Sequence, residues 1–438
     1  MHEVFDIESL DLQARGVARR GGKVAFVEGA LPGERVQARI INSKASFDIA
    51  RVERLVHASS QRVEPPCPYF GVCGGCIMQH LEPGAQVAVK QRVLEDALWH
   101  IGKLRPGRVL PALHGPSWGY RNRARLSVRM VNKKGGVMVG FRERRSRYVT
   151  DMTHCLVLPR HVSSLLVPLR SLIGSMSTPD RLPQIEVSVG DRTTALLLRH
   201  LEPLIDSDIA LLKTFAADYD VSWWLQPKGL ETIHPLIPGD ADKLAYALPE
   251  YGLRMHYRPG DFTQVNDAMN RSLVVRALAL LEVTASDRVA DLFCGLGNFT
   301  LPLATQARFV MGFEGNSVLT DRAQASSRLN SLQDRVQFAT LDLFKIEVQW
   351  LSGQGYFDKV LIDPPREGAE AVVRSLSAAA LADRPKKIVY VSCSPATLAR
   401  DAGILVHEGG YRLQAAGVVN MFAHTAHVES IAVFDQGI

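Results

Sequence analysis

No apolar run in the chain approaches the ~20 residues that a membrane helix requires. The first residues also lack the basic stretch followed by an apolar core that directs export. Membrane and secreted classes are therefore disfavoured, and a cytoplasmic protein is expected. Cysteine is sparse, six in 438 residues. In a reducing compartment, so few in so long a chain suit metal ligands, nucleophiles or core residues better than a disulfide framework. No repeat or low-complexity tract occurs. Acidic residues are nearly missing from one stretch: between Ile101 and Arg160, Glu143 and Asp151 stand against 14 Lys and Arg. That local excess of +12, in a chain of net +6, leaves the remainder at −6. With Trp118, Tyr120, Phe141 and Tyr148 interleaved, the block fits a surface that tracks phosphates and stacks bases.

The length allows two or three domains with real cores, and 46% hydrophobic with 22% charged residues is ordinary for a globular protein. From Val4 to Val56, short alternating runs such as Val24, Phe26 and Val36, Ala38, Ile40 are broken at Gly21-Gly22 and Leu31-Pro32-Gly33. This predicts a small all-β barrel. Residues 86–99 read as a helix with Val89, Val93, Leu94 and Ala97 on one face. Strand-like runs and a helix at Asp206–Ala217 fill the middle. From Asp267 onward, strands at Arg288–Leu292, Phe309–Glu314, Val336–Leu341, Lys359–Ile362 and Lys387–Val391 alternate with helices. That alternation predicts a doubly wound α/β domain with a mostly parallel sheet, to which Tyr411–Val419 and His427–Phe434 add two strands.

Four clusters carry chemistry. Cys67, Cys73 and Cys76 sit in a Pro- and Gly-rich loop with C-x5-C-x2-C spacing, which points to a metal. A fourth ligand could be His80 or Cys155; zinc accepts Cys3His readily, whereas iron–sulfur clusters usually take four Cys. The loop D-L-F-C-G-L-G-N-F-T, Asp291–Thr300, ends the first strand of the α/β domain. It is not G-x-G-x-x-G and no Lys follows, so neither a dinucleotide fingerprint nor a P-loop is supported. Glu314 and Asp342 end the next two strands, placed for ribose hydroxyls and an adenine edge. Asp363-Pro-Pro-Arg-Glu-Gly368 ends the fourth strand, and Val391-Ser-Cys393-Ser-Pro-Ala-Thr-Leu-Ala-Arg-Asp401 ends the fifth. A thiol at a strand's carboxyl end is placed for catalysis. Carbon 5 of uracil is a poor nucleophile, and thiolate attack at carbon 6 would make it an enolate able to accept a methyl group from a sulfonium. A base must then remove the carbon-5 proton. Glu429, at the start of a period-2 segment, shares a face with Ile431 and Val433.

D-L-Q-A-R-G-V-A-R-R-G-G-K-V-A-F-V-E-G-A-L-P-G-E resembles the TRAM module of RNA-modifying enzymes. D-L-F-C-G-L-G-N-F, D-P-P-R-E-G, V-S-C-S-P-A-T-L-A-R-D and H-V-E-S together resemble the S-adenosylmethionine-dependent uracil-5-methyltransferases. The TRAM-like module and four cysteines bring the chain nearest to the bacterial branch acting on 23S ribosomal RNA. The resemblance implies a TRAM/OB-like barrel at 1–57 and a central α+β domain at 58–260. It further implies a Rossmann-like methyltransferase domain at 261–438, with the helix near 86–99 packed on it. By the same resemblance Cys393 is the nucleophile and Glu429 the base. Gln264, Phe293, Asn298, Glu314, Asp342 and Asp363 line the pocket for S-adenosyl-L-methionine and the target base, and Cys67, Cys73, Cys76 and Cys155 hold a structural [4Fe-4S] cluster. A monomer acting on large-subunit ribosomal RNA is expected, with Phe262 stacking on a flipped uridine and Cys294 a packing residue. Competing readings are an amine or cytosine methyltransferase, against which Arg366 speaks, a uracil-5-methyltransferase acting on transfer RNA or on more than one RNA site, and a non-catalytic assembly factor.

Overall fold

A computed structural model describes residues 2–11 and 13–437. The amino-terminal strands are β1 (His2–Asp6), β2 (Ser9–Leu10), β3 (Gly16–Arg20), β4 (Lys23–Glu28), β5 (Arg35–Ser43) and β6 (Phe47–His57). They form one sheet in the order β1-β5-β6-β4-β3-β2. The short chain of residues 2–10 pairs with β5 at its start and with β3 at its end, which closes the sheet on itself. Small residues fill the tight interior: Ala18, Ala25, Ala38 and Ala50 are fully buried with Val27 and Val36. At Gly16 a Cβ would lie 2.8 Å from Ile7 and 2.9 Å from Ala30, so the seam admits no side chain there. A bidentate ion pair ties this barrel to the segment after β6, with Arg62 donating to both oxygens of the buried Glu34 at 2.6 and 2.7 Å.

The helix α1 (Pro83–His100) begins where the Glu82 carboxylate accepts from the Ala85 amide. Its buried face is Gln86, Val87, Lys90, Leu94 and Leu98, one residue per turn. The expected face of Val89, Val93 and Ala97 is only half-buried. The turn of the helix is set by two buried polar side chains that an apolar pattern discards. Beyond β7 (Arg108–Val109) comes a second sheet. Its strands are β8 (Arg123–Val131), β9 (Gly136–Gly140), β10 (Gln184–Val189), β11 (Thr194–Arg199), β12 (Val221–Gln226) and β13 (His234–Pro235). It is ordered β13-β12-β11-β10-β8-β9 and covered by α2 (Arg160–Ser164), α3 (Leu166–Gly174) and α4 (Asp206–Tyr219). The hairpin β14 (Ala245–Leu248) and β15 (Leu253–His256) shares an apolar cluster with the next helix, α5 (Asp267–Leu281).

The third sheet has eight strands. In chain order these are β7, β16 (Arg288–Leu292), β17 (Phe309–Glu314), β18 (Val336–Thr340), β19 (Lys359–Ile362), β20 (Lys387–Ser392), β21 (Tyr411–Val419) and β22 (Glu429–Gln436). The order β18-β17-β16-β19-β20-β22-β21-β7 is parallel from β18 to β20, with β22 inserted antiparallel between β20 and β21. The helices are α6 (Thr300–Gln306), α7 (Ser317–Leu329), α8 (Glu370–Ala378) and α9 (Pro395–His407). One face of the sheet packs on α5 and α6; the other packs on α8, α9 and, from the far amino-terminal side, Leu94 and Leu98 of α1. No helix among the described residues is long and apolar enough to cross a membrane.

Candidate active site

The strand order reverses beside β16, and the carboxyl ends of β16, β17, β19 and β20 face one cavity of about 530 Å³. This is where open α/β sheets bind ligands. Gln264, Phe293, Asn298, Glu314, Asp342, Asp363, Cys393 and Glu429 all line it.

The loop after β16 is sharply folded. Phe293 has φ of +65°, uncommon for a bulky residue, and Gly295 and Gly297 follow at +54° and +86°. The surroundings hold this path. The Cys294 amide donates to the Phe313 carbonyl at 3.0 Å and the Gly295 amide to Glu314 Oε2 at 3.1 Å. Glu314 Oε1 accepts from the Asn316 amide, so the carboxylate is fixed at the strand end. Asn298 is locked from both sides: its Oδ1 accepts from Tyr246 and from Asn270, each at 2.9 Å, and its Nδ2 donates to Asn270 Oδ1. Asn270 and Tyr246 carried no sequence signal, since neither lies in a motif. Asp342 is half exposed and paired with Lys345 at 2.9 Å, which holds its carboxyl below the usual range. Cys294 is buried, with its sulfur 3.0 Å from where a Cβ at Gly312 would stand.

At the other end of the cavity, strand register brings Cys393 and Glu429 together. β20 and β22 pair antiparallel with Val391 opposite Ile431 and Ser392 opposite Ser430. One step further along that register lie Cys393 and Glu429. Glu429 opens its strand yet is 7% exposed, so it is not a solvated strand-end charge. Its Oε1 lies 3.2 Å from His427 Nε2. Burial pushes the Cys393 thiol up to about 12, and the nearby Glu429 and Asp363 carboxylates push the same way, with Arg366 opposing. Asp363 opens onto the enclosed cavity, and burial followed by the charges of Glu429 and Asp291 raises its carboxyl well above the usual range. The free protein thus holds Cys393 as a neutral thiol. Phe422, which no motif singled out, and His427, the first residue of H-V-E-S, complete this wall, and Phe262 stands 69% exposed at the rim.

Cys393, Arg366 and His427 also line a second, open groove of about 830 Å³. Its other walls are Asp11, Gln13 and Arg15 of the barrel, Val93, Ala97 and His100 of α1, and Arg144 and Arg145. Cys393 is therefore reached from both sides. The basic block only partly forms this surface. Arg123 and Arg125 bond to the buried Glu186 on the neighbouring strand, and Arg145 pairs with Glu28. Tyr120 is a core residue whose hydroxyl donates to the Ala423 carbonyl. Phe141 lies under Arg121, and Trp118 stacks on His424 at 3.9 Å. Tyr148, at 66%, is the most exposed ring of the four.

Cys67, Cys73, Cys76 and Cys155 line one further cavity with Tyr69, Arg121, Phe141 and Met152. The Gly75 amide donates to Cys73 Sγ at 3.4 Å, and the Cys155 amide is held by Ser163. Burial pushes Cys76 up to about 12, with smaller contributions from the other three thiols. Burial raises Cys73 and Cys155 as well, and a thiol so raised ionises on binding a cationic centre. Among the described residues no three His, Cys, Asp or Glu side chains converge as the ligands of one ion do. Sulfurs on a single zinc, at ~2.3 Å from the metal, would crowd within ~4 Å of one another. A four-iron cluster gives each thiolate its own iron and a wider spread. His80 is not in this cavity; it packs against Phe70, and neither ring nitrogen finds a partner.

Residues 237–436 match the family model described as tRNA (Uracil-5-)-methyltransferase, and residues 6–52 match the TRAM domain. A protein of Bordetella avium named 23S rRNA (uracil(1939)-C(5))-methyltransferase RlmD is 67% identical over 99% of this chain and 91% of its own length. One of the same name from Cupriavidus metallidurans is 57% identical over 99% and 95%. Among solved structures, the Pyrococcus abyssi tRNA (uracil-54, C5)-methyltransferase in complex with S-adenosyl-L-homocysteine is 23% identical. It superposes with a TM-score of 0.73 over 99% of this chain and 100% of that one, which shows the shared fold. The chain belongs to the RlmD family of 23S rRNA (uracil-C5)-methyltransferases.

Proposed function

We propose that this enzyme transfers a methyl group from S-adenosyl-L-methionine to carbon 5 of a uridine in 23S ribosomal RNA through a covalent adduct between Cys393 and carbon 6 of the base. The observation that carries the mechanism is the register of β20 and β22, which sets a thiol and a buried carboxylate side by side at the end of the cofactor cavity. In this reading Phe293, Asn298, Glu314 and Asp342 hold the adenosyl and amino-acid parts of the cofactor, while Gln264 and Asp363 stand between cofactor and base. The uridine enters from the groove that also reaches Cys393, flipped out of its stack and covered by Phe262. Arg144 of the block, with Arg15 of the barrel, lines the approach of the phosphates.

Burial and the carboxylates of Glu429 and Asp363 outweigh the positive charge of Arg366 at the Cys393 thiol. Its proton passes to the carbon-4 oxygen of the base as sulfur attacks carbon 6, giving an enol whose carbon 5 displaces the methyl group from the sulfonium as the oxygen releases that proton to solvent. Glu429 then takes the carbon-5 proton, the C5–C6 double bond re-forms, and sulfur leaves with the electron pair of the C–S bond. Cys67, Cys73, Cys76 and Cys155 would hold a [4Fe-4S] cluster, which stabilises the fold around them and supplies no electron to the reaction.

The test is a pair of substitutions. Cys393→Ala should abolish methylation with S-adenosylmethionine binding near normal. Glu429→Gln should allow attack and methyl transfer but leave the enzyme trapped on methylated RNA, as a band surviving denaturing electrophoresis. Turnover by Cys393→Ala would remove the covalent mechanism. Normal turnover by Glu429→Gln with no trapped band would remove Glu429 as the base. Mass mapping of 23S ribosomal RNA from cells lacking the gene locates the uridine.

A further inference from the structure

The segment between β21 and β22, residues 420–428, has no regular structure, yet it places Phe422 and His427 in the cavity wall and delivers Glu429. Within it His424 is 2% exposed and has φ of +62°. A non-glycine residue keeps that conformation where its surroundings over-determine it. Here they come from the opposite end of the chain. The Ile77 and Met78 amides, next to Cys76, both donate to the His424 carbonyl, at 2.9 and 3.0 Å. Gln86 of α1 accepts from the His424 amide at 2.9 Å and places its Nε2 3.2 Å from the ring Nδ1. Lys90, one turn on, is 1% exposed, and its ammonium donates to Asn420 Oδ1 at 2.7 Å and to the Phe422 carbonyl at 2.8 Å.

A lysine this deep is costly unless its charge is answered. Both acceptors it touches are neutral. Burial lowers its proton affinity, to about 7, and the opposing influence is the charge of Glu429. From the rest of the site, His427, Asp363 and Cys393 face Glu429, while His424 and Glu429 face Lys90. Arg366 supplies positive charge beside Cys393 on the groove side, and Lys90 acts on Glu429 from the helix side.

We propose that Lys90 of α1 is a positioning residue for the catalytic base: its two hydrogen bonds fix the turn that carries Phe422 and His427 and leads into Glu429. This rests on the reading of Glu429 as that base. α1 is therefore part of the active site, although it lies some 330 residues from the strands it serves.

The experiment is a single turnover of the full-length enzyme with S-adenosylmethionine and a 23S ribosomal RNA fragment, following methyl transfer and decay of the covalent complex separately. In Lys90→Met, which removes both hydrogen bonds to the turn, cofactor binding and methyl transfer should change by less than about threefold, whereas decay of the complex should slow by about tenfold. Lys90→Arg, which keeps the donors, should restore most of the decay rate. Lys90→Gln, which keeps a donor on a shorter side chain, should fall between Lys90→Met and the unaltered enzyme. Unchanged decay in Lys90→Met, with only a lowered melting temperature, would overturn the proposal. If Lys90→Met does not fold, decay in Lys90→Gln decides. Glu429→Gln run alongside separates the two ideas: if it traps no complex, the base assignment fails; if it traps one and Lys90 variants decay normally, the role of Lys90 alone fails.

Discussion

A thiol held neutral in the free enzyme should be slow toward alkylating reagents, and the structure sets the size of the effect. Raising the Cys393 thiol from 9.0 to about 12 leaves about a thousandfold fewer thiolates at pH 8 than an ordinary cysteine has. The remaining thiolate is more basic and so more nucleophilic, which returns about twentyfold at a Brønsted slope of ~0.45. Cys393 should therefore react with iodoacetamide about fiftyfold more slowly than the thiol of a small reference compound. Access does not limit the reaction, because the sulfur also lines the open groove. The rate, read by peptide mass mapping, should climb about tenfold per pH unit and show no plateau below about pH 11. Saturating S-adenosylmethionine places a sulfonium in the cavity and should speed alkylation, whereas S-adenosylhomocysteine, which has a thioether in its place, should not. Glu429→Gln, which removes the carboxylate with the larger influence on the thiol, should speed it too. Alkylation at or above the reference rate with a plateau near pH 8 would show a preformed thiolate, and activation by proton transfer to the substrate would then be wrong.

Anaerobically purified enzyme should be brown and contain iron and inorganic sulfide, and Cys155→Ser should lose both along with thermal stability; colourless protein with stoichiometric zinc would replace the cluster with a single ion. Arg62→Met strands the buried Glu34 carboxylate and should cost about 3–5 kcal/mol in denaturant unfolding. Burial pushes the Glu34 carboxyl up, but Arg62 and the Leu31 and Ser59 amides together hold it below the usual range. The stability it contributes is therefore present above the unfolded carboxyl value and should drain away as pH falls through the lower folded one, a loss that Glu34→Gln should not show. Arg142→Ala and Arg147→Ala should weaken RNA binding and each lower the salt slope by about one, whereas Arg123→Ala should mainly destabilise, since Arg123 is largely buried against Glu186.

The methyltransferase sheet was legible because each of its parts is local. A buried parallel strand is a short apolar run, and its ligand-binding residue follows directly, so Glu314, Asp363 and Cys393 could be placed to within a residue of the strand end. The antiparallel insertion of β22 was not legible, because period-2 patterning gives no partner. That insertion is what sets Glu429 beside Cys393. The basic block illustrates the opposite limit: its charges were counted correctly, but Glu186, which takes up two of them, lies more than 60 residues away.

Helix α1 was legible as an element, but its buried face only in part, for a related reason. Apolar periodicity selected Val89, Val93, Leu94 and Ala97; of these Leu94 is buried, and the helix turns Gln86 and Lys90 inward with it and Leu98. Polar side chains are buried when something answers them, and what answers these is the turn before Glu429, at the far end of the chain. The same turn receives two amide bonds from the residues after Cys76. The three-cysteine loop, α1 and the turn leading to Glu429 thus meet at one strained residue, His424. A metal centre held by those cysteines would bear on that turn through Ile77 and Met78. Loss of the Cys76 ligand should therefore release the His424 carbonyl before it unfolds the sheet, and slow resolution of the covalent complex more than it slows cofactor binding.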